Sequence, residues 1–95
     1  MQKAPTTFKP GATQTVAVGS SSAASNAVDA QTRDIRIVSS VDAYVAISSA
    51  PTASSASFIL PAFTVEYFSR AGSDKVAVLR VGSTTGTSRV TELSQ

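Results

Sequence analysis

The chain has 95 residues, a formal net charge of +2, and no Cys or His. Because His and Cys supply most general bases, activated nucleophiles and transition-metal ligands, their absence excludes Ser-His-Asp and Cys-His catalysis, structural zinc and iron-sulfur clusters. It also excludes a disulfide framework. The length fits one small domain, near the lower limit of what a single hydrophobic core can stabilise.

The composition predicts a folded domain with a small core. Ser and Thr account for 27 residues, whereas Val, Ile, Leu and Phe together account for 22. Disordered chains combine low hydropathy with high net charge, but here the mean hydropathy is +0.12 and the net charge is only +2. We therefore expect an ordered chain.

Residues 1–11 are predicted to form an extended arm. Pro5 and Pro10 fix their own φ angles and push the preceding residue toward extended geometry. The segment is polar and lacks the apolar run of a signal peptide, so we expect no secretion signal. We expect the arm to dock on a neighbouring subunit or partner, the alternative being a frayed terminus. The residues predicted to make that contact are Lys3, Pro5, Phe8 and Lys9.

Residues 12–95 are predicted to form one β-domain, because short apolar runs alternate with Gly, Ser, Pro and Asp clusters about every ten residues. The clearest strand is 34–38, in which Ile35 and Ile37 share one face of the strand. No segment has a helical apolar stripe, and 23–34 is expected to be a loop or a short strand. The seven predicted strands are 13–18, 34–38, 43–48, 57–60, 64–69, 75–81 and 88–93.

The predicted fold class is all-β, a small antiparallel β-sandwich or barrel of the jelly-roll or Ig-like kind. We expect 34–38 and 43–48 to form an antiparallel hairpin. The strands at 57–60 and 64–69 are expected to be neighbours across a tight corner. The sequence GSTTGT at 82–87 has no Lys after its second Gly and no helix behind it, which indicates a hairpin connection rather than a phosphate loop.

Some predicted strands carry large apolar side chains on both faces. In 75–81, Val76 and Val78 point one way, and Leu79 and Val81 point the other. A β-bulge explains one such case, and otherwise something must cover the second face. Because disulfides and His or Cys metal sites are absent, we expect extra stability from a homo-oligomer, a dimer or trimer, or from attachment to a larger assembly.

The charged and aromatic residues indicate no catalytic, metal, cofactor or nucleic-acid site. The six acidic residues are scattered singly, which is typical of surface charge rather than of paired catalytic carboxylates. The cations form no run, and the aromatic residues between 58 and 68 stand beside Ile, Leu and Val, so we expect them in the core. The uncharged stretch 43–65 contains Ser, Thr and Pro, which argues against a membrane span. We expect a protein that is not an enzyme.

From residue 35 to residue 93, the order of segments resembles a group of small structural proteins of tailed bacteriophages. The similar parts are the VAI strand within AYVAIS, the LPA corner at 60–62, the VEYF strand, and the closing strand of GSTTGTSRVTEL. A Gly is usual after LPA in that group, whereas this chain has Phe63. The likeness covers about 60 percent of the chain, and none of its parts is a diagnostic motif.

The resemblance implies a virion structural protein, made in the host cytoplasm, that decorates or cements the capsid surface. Its partner would be the major capsid protein or another virion protein, and it transfers no catalytic residue or cofactor. Association with the head-to-tail connection or the tail is an alternative. A second class of function is a carbohydrate or host-surface binding module on the particle, which would read ligands through the loops at 49–57 and 82–88. Those loops contain no aromatic residue.

Overall fold

The computed structural model describes residues 9–29, 32–69 and 74–94, which form eight β-strands and no helix. The all-β prediction is confirmed, and each of the seven predicted strands overlaps an observed one. The additional strand is only two residues long and lies in the segment expected to be a loop or a short strand. The strands are β1 (Lys9–Val18), β2 (Ala23–Ala24), β3 (Asp34–Ser39), β4 (Ala43–Ser48), β5 (Phe58–Leu60), β6 (Glu66–Ser69), β7 (Lys75–Arg80) and β8 (Gly86–Ser94).

The strands form two four-stranded antiparallel sheets. Sheet I has the order β1-β8-β3-β6, and sheet II has the order β2-β7-β4-β5. The first strand pairs with the last, the second with the seventh, the third with the sixth and the fourth with the fifth. Such a pattern is one long hairpin rolled into two sheets, which is the arrangement of a jelly roll rather than of an Ig domain.

Two predicted hairpins are wrong. The strands β3 and β4 lie in opposite sheets, and so do β7 and β8, so residues 81–85 cross between the sheets instead of closing a hairpin. The strands β5 and β6 are also in opposite sheets. They are neighbours through side-chain packing, since the ring centroids of Phe58 and Phe68 are 5.3 Å apart.

The physical reason for these corrections is the small distance between the sheets. Packed sheets lie about 10 Å apart, and three extended residues span about 10 Å. The three residues 40–42 can therefore carry the chain from β3 to β4 in the other sheet. A short connection fits a crossover as well as a hairpin, and burial of the inner faces decides between the two.

The core is a single layer of aliphatic side chains between the sheets. Its fully buried members are almost all Val, Ile and Leu, and no aromatic ring of the described residues is fully buried. One inward row of sheet I is Val16, Ser88 and Ser39, which pair directly across β1, β8 and β3. Within the described part of the chain, the hydroxyl oxygens of Ser39 and Ser88 are buried without a hydrogen-bond partner.

The outer face of sheet II is partly covered by the chain's own β4–β5 loop. The backbone N–H of Ala53 in this loop donates to Oγ of Ser22, 2.9 Å away. Ser22 precedes β2, at the opposite edge of the sheet from β5, so the loop crosses the sheet. Ala53 is 3% exposed and Ala77 of the central strand β7 is 0% exposed. A second copy of the chain is therefore not required to cover this face, and the expected homo-oligomer stays a prediction.

Gly86, the first residue of β8, lies tightly beneath the β3–β4 connection. A Cβ at this position would overlap Oγ of Ser40 and come within 2.9 Å of Cγ1 of Val41. Ser40 is also bound to the neighbouring Thr87 by two hydrogen bonds, Ser40 N–H to Thr87 O at 2.9 Å and Thr87 N–H to Ser40 Oγ at 3.0 Å. The connection therefore cannot shift without losing these bonds.

We expect Gly86→Ala to lower the free energy of unfolding by about 1–3 kcal/mol, the usual range for forcing an extra carbon into a packed site. The matched control is Gly82→Ala, because a Cβ at Gly82 would meet nothing within 4 Å. Chemical denaturation of both variants measures the difference. Equal stability of the two variants would contradict the close approach at Gly86.

Candidate interaction surface

The structure places the four predicted contact residues of the arm only in part. Lys3, Pro5 and Phe8 lie outside the described residues. Lys9 begins β1 and pairs with Ser94 of β8. The last three residues of the predicted arm, 9–11, therefore belong to sheet I, and the contact with a partner stays a prediction.

Three large apolar side chains are exposed on one side of the sandwich. Phe58 is 43% exposed, Ile59 is 51% exposed and Phe63 is 78% exposed. We call these three residues the apolar edge, because Phe58 and Ile59 belong to β5, the edge strand of sheet II, and Phe63 lies in the connection to β6, the edge strand of sheet I. The expectation that the aromatic residues of this segment lie in the core is wrong for Phe58 and Phe63.

The apolar edge lacks the usual protection of an open sheet edge. Natural edge strands carry charged side chains that discourage pairing with another chain, but residues 49–65 contain no charged residue. The two edge strands are short, at three and four residues. Contiguous exposed apolar residues rimmed by polar ones are typical of protein interaction sites and ligand-binding grooves.

Phe63 also has an unfavourable backbone conformation. Its φ angle is 58°, and it is the only non-Gly residue with positive φ among residues 9–29, 32–69 and 74–94. A bulky residue in the left-handed region costs about 1–3 kcal/mol and persists only where the surrounding structure imposes it. A strained backbone that presents a ring to solvent does not help the free protein to fold, which indicates a function outside the fold.

Hydrogen bonds to two other segments hold this turn in place. The backbone N–H of Phe63 donates to the carbonyl oxygen of Ser39 at 2.7 Å. The backbone N–H of the preceding Ala62 donates to Oδ1 of Asp42 at 2.8 Å. Ser39 ends β3 and Asp42 immediately precedes β4, so both sheets fix the position of the Phe63 ring.

A depression of about 270 Å³ lies beside the turn. It combines the carboxylate of Asp42 with nearby hydroxyl groups and with the backbone of the β7–β8 crossover. The sequence assigned ligand reading to loops without an aromatic residue, but the fold brings the crossover next to the Phe63 turn. The lining residues are Ser40, Val41, Asp42, Ala62, Gly82 and Thr84.

The described residues contain no group of three or more Asp, Glu, His or Cys side chains close enough together to hold a metal ion. Among the same residues, no helix is long and apolar enough to cross a membrane. Comparison of the chain with protein-family models, with curated proteins and with solved structures found no match. The function is therefore argued below from the surface itself.

Sequence reasoning missed the apolar edge because apolar letters next to Ile and Leu read as core. One signal was available at Phe63. In the bacteriophage proteins that the sequence resembles, a Gly is usual after LPA, and an invariant Gly often marks a backbone position with positive φ. A Phe at such a position indicates an exposed and strained ring.

We expect Phe63→Gly to be more stable than Phe63→Ala by about 1–2 kcal/mol, because only the variant with a Cβ keeps the left-handed strain. At an ordinary position the order is reversed, and Gly is less stable than Ala by about 0.5–1 kcal/mol. Urea denaturation of the two variants decides the sign. If Phe63→Ala were equally or more stable, the positive φ at Phe63 would be wrong.

Proposed function

We propose that the chain is a non-enzymatic structural protein of a bacteriophage virion, which decorates the capsid surface and cements it by bridging neighbouring subunits. The observation that carries this proposal is the apolar edge. Exposed Phe58, Ile59 and Phe63 lie on the open edges of both sheets, and one of them is held in a strained backbone.

The proposed mechanism is burial of surface together with added strand pairing. The edge strands β5 and β6 have backbone N–H and C=O groups on their open sides, which can pair with an extended segment of another protein. The exposed side chains would then anchor that segment, as large apolar side chains do at the centres of protein interfaces. Such a contact gains free energy from covered area and needs no turnover.

The fold is compatible with this role but does not imply it. Jelly rolls occur in viral capsid proteins and in lectins, and one fold hosts many functions. In the proposal, the segment preceding β1 lies across a capsid subunit through Lys3, Pro5, Phe8 and Lys9, and the β-module self-associates as a dimer or trimer. The major capsid protein is the first partner to test, with head-to-tail and tail proteins as the alternatives.

We expect Phe63→Gly to weaken binding to virus particles at least about tenfold, since removal of one anchoring side chain from an interface commonly costs more than 1.4 kcal/mol. The assay is co-sedimentation of the purified chain with particles of the encoding phage that lack it. The matched control is Phe63→Tyr, which keeps the ring and should bind like the wild type. Unchanged binding of Phe63→Gly would contradict the role of the apolar edge.

A third variant in the same assay tests the arm. Deletion of residues 1–8 removes Lys3, Pro5 and Phe8 and leaves all of β1, so the sandwich should fold as before. We expect weaker particle binding with an unchanged oligomeric state. Wild-type binding of this deletion would exclude the arm but not the apolar edge.

One observation favours a second candidate function, a carbohydrate-binding module displayed on the particle. The depression next to Phe63 combines the carboxylate of Asp42 and the hydroxyl of Thr84 with an exposed aromatic ring nearby. Aromatic platforms flanked by hydrogen-bonding groups suit the apolar faces and hydroxyl groups of sugars. A glycan array probed with the wild type and with Phe63→Gly tests this candidate, and an array without hits for the wild type would exclude it.

A further inference from the structure

The outer face of sheet I brings together two arginines that are far apart in the sequence. In the register of β3 and β8, Arg36 pairs with Thr91, and Val38 pairs with Arg89. Directly opposed residues share one face of a sheet, so Arg36 and Arg89 lie on the same face as diagonal neighbours, about 7–8 Å apart. Both strands are central in the sheet, which places the pair near the middle of this face.

Neither guanidinium group is neutralised within the part of the chain that the structure describes. No hydrogen bond or ion pair joins Arg36 or Arg89 to residues 9–29, 32–69 or 74–94. Asp34 lies on the same face, but its Oδ1 accepts a hydrogen bond from Oγ of Ser69 at 2.6 Å. In contrast, Nη1 of Arg80 on β7 donates to the carbonyl oxygen of Ser83 at 3.2 Å.

The neighbours of the pair are polar and neutral. Thr15 stands opposite Arg89, and Tyr67 stands opposite Arg36. Oγ1 of Thr91, between the two arginines, is bonded to Oγ1 of Thr13 at 3.0 Å. Like charges at neighbouring positions of a sheet are destabilising, so this face carries a charge arrangement that an anionic partner would relieve.

We propose that the Arg36–Arg89 face binds carboxylate side chains on the surface of a second virion protein, separately from the contact made by the apolar edge. Guanidinium groups bind carboxylates through paired, charge-assisted hydrogen bonds. The inference rests on the proposed function for the identity of the partner. It gives the protein two docking surfaces of different chemistry, which is what a cement that joins two neighbours needs.

The composition of the face favours an acidic protein over a nucleic acid. Proteins that bind single-stranded nucleic acid combine a positively charged groove with several aromatic side chains on which bases stack. This face has two arginines and one aromatic residue, Tyr67, which is partly buried. A flat face with two guanidinium groups fits a small number of carboxylates on another folded surface.

The direct test is fluorescence anisotropy of a labelled octaglutamate peptide titrated with the full chain at low salt. We expect Arg36→Gln/Arg89→Gln to weaken binding at least about tenfold, because charge-assisted hydrogen bonds are worth about 1.5–3 kcal/mol each. The matched control is Lys75→Gln/Arg80→Gln, which removes the same charge from β7 of the other sheet and should bind like the wild type. The single variant Arg89→Gln, at an exposed position, keeps the test valid if the double variant does not fold.

Three outcomes would overturn the inference. The first is equal loss in the two double variants, which would mean that net charge alone acts. The second is no binding of octaglutamate by the wild type. The third is tighter binding of a labelled oligothymidine than of octaglutamate, lost in Arg36→Gln/Arg89→Gln, which would assign the face to nucleic acid.

Particle binding separates this inference from the function on which it rests. We expect added salt to weaken particle binding of the wild type and of Phe63→Gly, but to have little effect on Arg36→Gln/Arg89→Gln. If particles bind the wild type and the Arg double variant equally at every salt concentration, this inference fails and the proposed function stands. If octaglutamate binds but particles do not, the carboxylate site stands and the virion function fails.

Discussion

The structure depends on one thin layer of aliphatic side chains between two four-stranded sheets. Ile35 and Ile37 of sheet I face Val45, Leu60 and Val76 of sheet II, and all five are at most 1% exposed. No disulfide supports this layer, because the chain has no Cys. Large apolar residues are therefore scarce in this protein, and each one placed at the surface is missing from the core.

That scarcity gives meaning to two positions with opposite backbone logic. At Gly86 the packing leaves no room for a Cβ, so a Gly is required. At residue 63 the backbone has the positive φ that suits a Gly, but the chain carries a Phe whose ring is 78% exposed. The first position serves the fold, whereas the second opposes it and is explained by contact with something outside the molecule. The basic pair on sheet I follows the same logic, because Arg36 and Arg89 lack internal partners in the described residues.

The sequence was sufficient for the strands and insufficient for their pairing. Alternating apolar and polar residues, as at 34–38, determine which side chains face inward, and this local pattern survives in the fold. Pairing was mispredicted because a three-residue connection reaches the opposite sheet as easily as the adjacent strand. The two candidate surfaces need more than pattern. Arg36 meets Arg89 only through the register of β3 with β8, and Phe63 becomes exposed only because Ser39 and Asp42 fix its turn.

The central claim is that the apolar edge is covered when the protein is attached to its particle. Hydrogen–deuterium exchange measured by mass spectrometry on the free and the particle-bound chain tests it most directly, because the open sides of β5 and β6 carry unpaired backbone N–H groups. The account predicts strongly slowed exchange in residues 58–69 on binding, with little change in β2 and β7. Unchanged exchange in residues 58–69, in a chain that remains bound, would contradict it.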